Sequence, residues 1–235
     1  MVLQKPIQGV FFDMGWTVFR PVNADWFINR AVMEHVDINV LMSLPQNAKD
    51  AVFSKALKYL DDNHNLSTED EELEQFGAFY TMIAEGLPEL GLTEEAIGDI
   101  AYSKVFDTSN YVFYDGVKPV LEELKQNYRL GVISDTWPSI ERILRSAGIA
   151  DLFDVKVYSY QLGVSKPHPQ IYKTALQRMG VPAQRTIFID DWEPNLDAAA
   201  EQGMNPVLIT TRPNTPNSGK YPTVDHISDI FQLLQ

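Results

Sequence analysis

Asp13, Ser134, Asp135, Lys166, Asp190 and Asp191 are the residues of this chain whose types and positions could do chemistry together. Asp13 ends the apolar run Gly9-Val10-Phe11-Phe12, and Ser134 with Asp135 ends Leu130-Gly131-Val132-Ile133. Asp190 with Asp191 ends Thr186-Ile187-Phe188-Ile189, and Lys166 lies in a loop ahead of a helical segment. Short apolar runs of this kind read as buried strands, and in an open parallel sheet ligands bind at the C-terminal strand ends. The acids, one hydroxyl and one lysine are therefore expected along a single sheet edge. Packed carboxylates repel one another and need a cation. Oxygen ligands with no neighbouring His or Cys favour a hard ion, magnesium before zinc. A lone acid at such a place is more often a helix cap or turn residue; the joint placement carries the reading.

The elements that must position these residues follow from the texture of the chain. Strand-like runs at 130–134, 155–158, 186–190 and 206–209 are separated by helical segments at 117–127, 138–147, 169–179 and 194–202. Gly148, Gly180 and Gly203 stand where C-terminal helix caps belong. Between about residues 23 and 106 the pattern is helical instead. Trp26, Phe27, Val32 and Val36, then Ala48, Val52, Ala56 and Leu60, then Phe76, Phe79, Tyr80, Ile83 and Leu87 form successive apolar faces. Thr68 and Glu71 make a capping box, and Pro45 and Gly91 fall between helices. The expected architecture is α/β: a Rossmann-like parallel sheet core, residues 1–18 and 112–235, with an α-helical cap domain inserted at 19–111.

Composition narrows the function classes. The 235 residues are 45% hydrophobic and 22% charged, with a net charge of −13 and no cysteine. Disulfides, zinc-thiolate sites and thiol catalysis are excluded. The negative field argues against nucleic-acid or anionic-membrane partners, while a small anionic substrate responds to local pocket charges. The start has no apolar run long enough for a signal peptide or a membrane span, so a soluble, cytoplasmic protein is expected. Seven acids without Lys or Arg between residues 61 and 75 read as a solvated helix face. The four histidines show no metal-ligand spacing, and His168 is expected to face solvent.

Phe12-Asp13-Met14-Gly15-Trp16-Thr17 resembles the first motif of the haloacid dehalogenase-like superfamily, and Val132-Ile133-Ser134-Asp135 its second. Ser165-Lys166-Pro167-His168-Pro169-Gln170-Ile171-Tyr172 is similar to the third, and Phe188-Ile189-Asp190-Asp191 with Asn195 to the fourth. Asp115-Gly116-Val117 matches a turn common in these proteins, and the resemblance spans essentially the whole chain. It implies the subfamily with a helical cap between motifs one and two. It also implies Asp13 as nucleophile forming an aspartyl-phosphate. Mg2+ would sit on Asp13, the backbone carbonyl of Gly15 and Asp191. Ser134 and Lys166 would act on the transferring phosphoryl group, and Thr17, Asp190 and Asn195 would orient the ligands. From their positions beside these motifs, Asp135 and Trp16 are expected to line the substrate. The implied activity is hydrolysis of a small phosphorylated metabolite.

One departure matters. The family's second motif-one aspartate, its general acid–base, is Gly15 here. Substrates with good leaving groups, such as anomeric sugar phosphates or acyl phosphates, would tolerate the loss; Asp135, Glu193 or a substrate hydroxyl are possible stand-ins. A weakly active binder of phosphorylated ligands is one alternative. Hydrolytic 2-haloacid dehalogenation is another, disfavoured by the Asp190-Asp191 pair. Trp16, Trp26, Trp137 and Trp192 all lie near the motifs or the cap hinge; cap-to-core packing is the plain reading and a stacking wall the sharper one. Arg20 and Arg212 follow a hinge and a strand end, and read as surface arginines or as receptors for a second anionic group.

Overall fold

The computed structural model describes residues 6–234, so the outermost expected core boundaries, 1 and 235, lie outside the described residues. Along the chain run β1 (Gly9–Phe12), β2 (Phe19–Pro21), α1 (Arg30–His35), α2 (Ile38–Ser43), α3 (Gln46–Asp62), α4 (Glu69–Gly86) and α5 (Glu94–Phe106). They are followed by β3 (Tyr111–Phe113), α6 (Val117–Lys125), β4 (Arg129–Ser134), α7 (Ile140–Ser146), β5 (Val155–Tyr158), α8 (Ser159–Leu162) and α9 (Pro169–Met179). The chain ends through β6 (Thr186–Asp190), α10 (Glu193–Glu201), β7 (Asn205–Ile209), β8 (Thr223–Val224) and α11 (Ile230–Leu234).

Six strands form a parallel sheet in the order β5-β4-β1-β6-β7-β8. Every residue of β1, β6 and β7 is buried, as a parallel sheet covered on both faces requires. From β1 the order runs outward through β4 to β5 on one side and through β6 to β8 on the other. The reversal between β1 and β6 is the crevice where α/β sheets bind ligands. β2 and β3 form a separate two-stranded sheet.

The chain divides into two compact units. One runs to Arg20, resumes over Phe113–Thr136 and continues from Ile143; the other is Pro21–Val112 with Trp137–Arg142. Helices expected at 169–179 and 194–202 appear as α9 and, one residue earlier, α10. Gly148, Gly180 and Gly203 adopt φ of 64°, 67° and 85°, the left-handed caps their positions imply. The helix expected over 117–127 stops at Lys125, and the small elements β2, β3, β8 and α11 carried no periodic signal.

The helical unit has its own core, with Phe76, Phe79, Ile83, Ile100 and Val105 buried together and Trp137 packed against them. The Thr68–Glu71 capping box is formed at the start of α4. The acid run does not lie wholly in solvent: Glu72 is 1% exposed. Its carboxylate accepts bonds of 2.7 Å from both the backbone N–H and the hydroxyl of Ser139. Gln75 accepts from the Trp137 indole at 2.8 Å. These contacts hold residues 137–139 as a turn, which is why α7 starts at Ile140 and not at 138. Burial lifts the Glu72 carboxyl to about 7, against the bonds from Ser139 and the charge of Lys104.

In the sheet unit, Gly131 of β4 faces the Phe11 ring so closely that a Cβ there would lie 2.4 Å from its atoms and 2.9 Å from Cε of Met179. The ring is fully buried and cannot retreat. Gly131→Ala is expected to cost about 1–3 kcal/mol through overpacking. Urea denaturation measures it, and an unchanged midpoint would refute the close fit.

Candidate active site

The parallel register aligns the site. Phe12 of β1 pairs with Val132 on one side and Ile189 on the other, so Asp13 emerges beside Asp190 and near Ser134. The Asp13 N–H donates to the Ile189 carbonyl at 2.9 Å, extending the ladder one step beyond the strand and fixing the carboxylate's start point. After it the chain turns tightly, with the Met14 carbonyl accepting from the N–H of Thr17, Val18 and Phe19. Trp16 takes a left-handed φ of 56° in this turn, unusual for a bulky residue.

Asp13, Asp190 and Asp191 are all buried, and one carboxylate oxygen from each lies within 4.8 Å of the others. Lys166 sits among them, 2% exposed at its side chain. Its ammonium donates at 2.7 Å to Oδ1 of Asp13 and at 2.7 Å to Oδ2 of Asp190. Asp190 has little capacity left: it also accepts from Asn195 Nδ2 at 3.2 and 3.1 Å and from the Trp192 N–H at 2.8 Å. Asn195 is in turn held through its carbonyl by the Tyr172 hydroxyl at 2.9 Å. Asp190 thus aims the lysine, while Oδ2 of Asp13 and the Asp191 carboxylate keep open lone pairs.

Electrostatics agree with that division. Burial lifts Asp13 to about 7, with the charges of Asp190 and Asp191 adding and Lys166 opposing. Burial and Asp190 lift Asp191 to about 6, while Lys166 and Arg212 hold it down. Burial works against the Lys166 charge, but Asp13, Asp190 and Asp135 overcome it and hold the ammonium well above its usual value. Three buried carboxylates against one lysine leave uncompensated negative charge. The donors are all oxygen, so the cluster suits a hard divalent cation.

This has a measurable consequence. Folded-state values above the ordinary 3.8 mean that, without metal, the folded protein keeps protons on Asp13 and Asp191 that the unfolded chain releases. Their contribution to stability falls as pH rises from about 4 towards 7. A bound cation removes the repulsion, so added Mg2+ is expected to raise Tm more at pH 7.5 than at pH 5. Thermal scans with magnesium and with chelator test this; equal shifts at both pH values would sink it.

Ser134 is buried at the end of β4. Asp135 spends Oδ1 on the Lys166 backbone N–H at 2.9 Å, tying the lysine loop to the β4 edge. Thr17 is buried, and its hydroxyl has no hydrogen-bond partner among the described residues. Glu193 is committed elsewhere, accepting from the N–H and hydroxyl of Ser218 at 2.8 Å. His168 caps α9, accepting from the Gln170 N–H. Trp192 is 44% exposed, whereas Trp26 and Trp137 fall in the helical unit. Sequence reasoning passed over Thr211, whose hydroxyl donates to the Trp16 carbonyl. The strand-end rule applied two residues beyond β7 would have found it.

Comparison with known proteins supplies the family. The model described as haloacid dehalogenase-like hydrolase matches residues 7–203. A glyceraldehyde 3-phosphate phosphatase of Methanocaldococcus jannaschii is 26% identical over 208 residues, covering 86% of this chain and 85% of its own. Its namesake from Methanothermobacter thermautotrophicus is also 26% identical, over 97% of this chain and 99% of its own. Among solved structures, a HAD phosphatase from Thermococcus onnurineus superposes with a TM-score of 0.65 at 19% identity, over 97% of this chain and 98% of its own. The L-2-haloacid dehalogenase of Xanthobacter autotrophicus does so with a TM-score of 0.65 at 18% identity and the same coverage. These two structural likenesses speak to fold alone.

Proposed function

We propose, since this chain belongs to the haloacid dehalogenase-like hydrolases, that it is a magnesium-dependent phosphomonoester hydrolase for a small phosphorylated metabolite. The observation that carries the reading is the buried Asp13–Asp190–Asp191 cluster with Lys166 at its centre. Dehalogenation at carbon gives no reason to bury three carboxylates together, whereas phosphoryl transfer does. The two archaeal relatives named for glyceraldehyde 3-phosphate support a small phosphate ester as substrate.

In this reading Asp13 attacks phosphorus with Oδ2, the oxygen that Lys166 does not hold, and the ester oxygen departs. Water then cleaves the aspartyl-phosphate and frees the carboxylate, so one hard displacement becomes two easier ones. Lys166 neutralises Asp13 and a phosphoryl oxygen, and Asp190 with Asn195 keeps the ammonium aimed. Ser134 donates to a second phosphoryl oxygen. Asp13, Asp191 and the Gly15 carbonyl would hold magnesium, which would supply the positive charge that lets an anionic ester approach an anionic nucleophile. The helical unit acts as the cap that selects substrate.

Gly15 leaves no acid in motif one to protonate the leaving oxygen. Glu193 is a poor substitute because Ser218 holds it. The substrates best served are those whose leaving group departs without help, namely anomeric sugar phosphates and acyl phosphates. The test is phosphate release from a panel of ordinary esters, anomeric phosphates and acyl phosphates, with magnesium and with chelator. Magnesium-dependent release, fastest for the last two classes, is expected. Binding without turnover would make the protein a phospho-ligand binder, and metal-free halide release from a haloacid would make it a dehalogenase.

A further inference from the structure

We infer that Arg212, set beside Asp191 and over the Trp16 ring, is the receptor for a carboxylate carried by the same small phosphorylated substrate. The inference rests on the hydrolase reading and adds the substrate's second charged group to it.

The guanidinium is close to the reacting centre but not consumed there. Its Nη1 is 3.6 Å from Oδ2 of Asp191, an ion pair too long for a hydrogen bond, and its side chain is 45% exposed. Apart from that ion pair it meets the Trp16 ring, 6.0 Å from its centroid. Among the described residues no hydrogen bond uses its N–H donors. A planar fork of five donors with one loose partner is a receptor waiting for a planar anion. When Asp191 is drawn into metal binding, even that partner is shared.

Its placement is also built. The Arg212 carbonyl accepts from the N–H of Thr215 at 3.2 Å and from its hydroxyl at 2.8 Å, turning the chain just beyond β7. The preceding Thr211 hydroxyl donates to the Trp16 carbonyl, so the arginine's loop is fastened to the nucleophile's loop. Trp16 itself is held left-handed, with its N–H on the Phe19 carbonyl at 2.7 Å. A bulky residue in that conformation costs free energy, and such costs gather where a ligand surface is shaped. The ring becomes a platform beneath the guanidinium. The Tyr114 hydroxyl is buried and has no hydrogen-bond partner among the described residues.

Charge selects the ligand class. The chain carries −13 overall, and a substrate with a phosphate alone is already served by Lys166 and the metal. A further cation one side chain away is matched by one further unit of negative charge. The fork accepts carboxylate and phosphate alike, but a carboxylate brings the single charge that one guanidinium neutralises, whereas a second phosphate brings about −1.5 to −2.

Binding tests this without turnover. Calorimetry would compare a short phosphonocarboxylate, an alkylphosphonate of equal length and a bisphosphonate, all with magnesium, on the wild type and on Arg212→Met. The wild type is expected to bind the phosphonocarboxylate at least about tenfold tighter than the alkylphosphonate. In the variant that preference should fall below about threefold, with alkylphosphonate affinity unchanged. Binding without preference in the wild type, or a preference that survives in the variant, overturns the inference and leaves Arg212 as a counter-charge for Asp191. An Arg212-dependent preference for the bisphosphonate overturns the carboxylate assignment. Failure of the hydrolase reading shows separately, as absence of magnesium-dependent phosphate release from every ester; no binding of any phosphonate overturns both.

Discussion

Asp13→Asn is expected to abolish magnesium-dependent phosphate release, by at least about 10³-fold, while the protein stays folded. The side chain keeps its size and one oxygen to accept from Lys166, so the 2.7 Å contact can persist in weakened form. What disappears is the charged oxygen proposed to attack phosphorus. The substitution also removes one of three mutually repelling carboxylates, and in chelator the variant is expected to be at least as stable as the wild type. Steady-state phosphate release and urea denaturation, run side by side, separate the two effects. Residual activity within about tenfold of wild type would remove Asp13 from its role, whatever the stability did.

Lys166→Met should damage both function and fold. The ammonium is buried between Asp13 and Asp190, whose side chains are 10% and 0% exposed. Deleting it strands buried negative charge, a loss of about 3–5 kcal/mol when one member of a buried ion pair is removed. The methionine stem preserves packing, so the loss reports charge and not cavity. Adding Asp190→Asn should recover part of the stability but none of the activity, because the stranded charge is gone while the phosphoryl group still lacks its cation. Magnesium should recover more stability in the single variant than it adds to wild type. If Lys166→Met unfolds at the wild-type midpoint in chelator, the buried ion pair does not have the role assigned to it.

The core was legible where local chemistry and burial agree. β1, β6 and β7 lie in apolar runs because a strand buried on both faces tolerates little else. The glycine caps were legible because a left-handed cap strongly favours a residue without Cβ. Glu72 was misread for the complementary reason. On sequence it is one acid among seven, and nothing local records that Ser139, 67 positions away, satisfies both its oxygens inside the helical unit. Thr211 and Tyr114 escaped notice because neither belongs to a strand-end acid or a periodic apolar face.

The sequence alone was enough to name the residues proposed for the chemistry. The acids and the lysine stand at the ends of apolar runs, and strands that all run parallel bring those ends to one edge. How the charges are shared emerges only in the folded chain. Lys166 is divided between Asp13 and Asp190, Asp190 is saturated by Asn195 and the Trp192 N–H, and Asp191 is left facing Arg212. The physical reason is range. Strand burial and helix capping act over a few neighbours along the chain, whereas the interaction of buried charges depends on ångström distances between segments 153 positions apart.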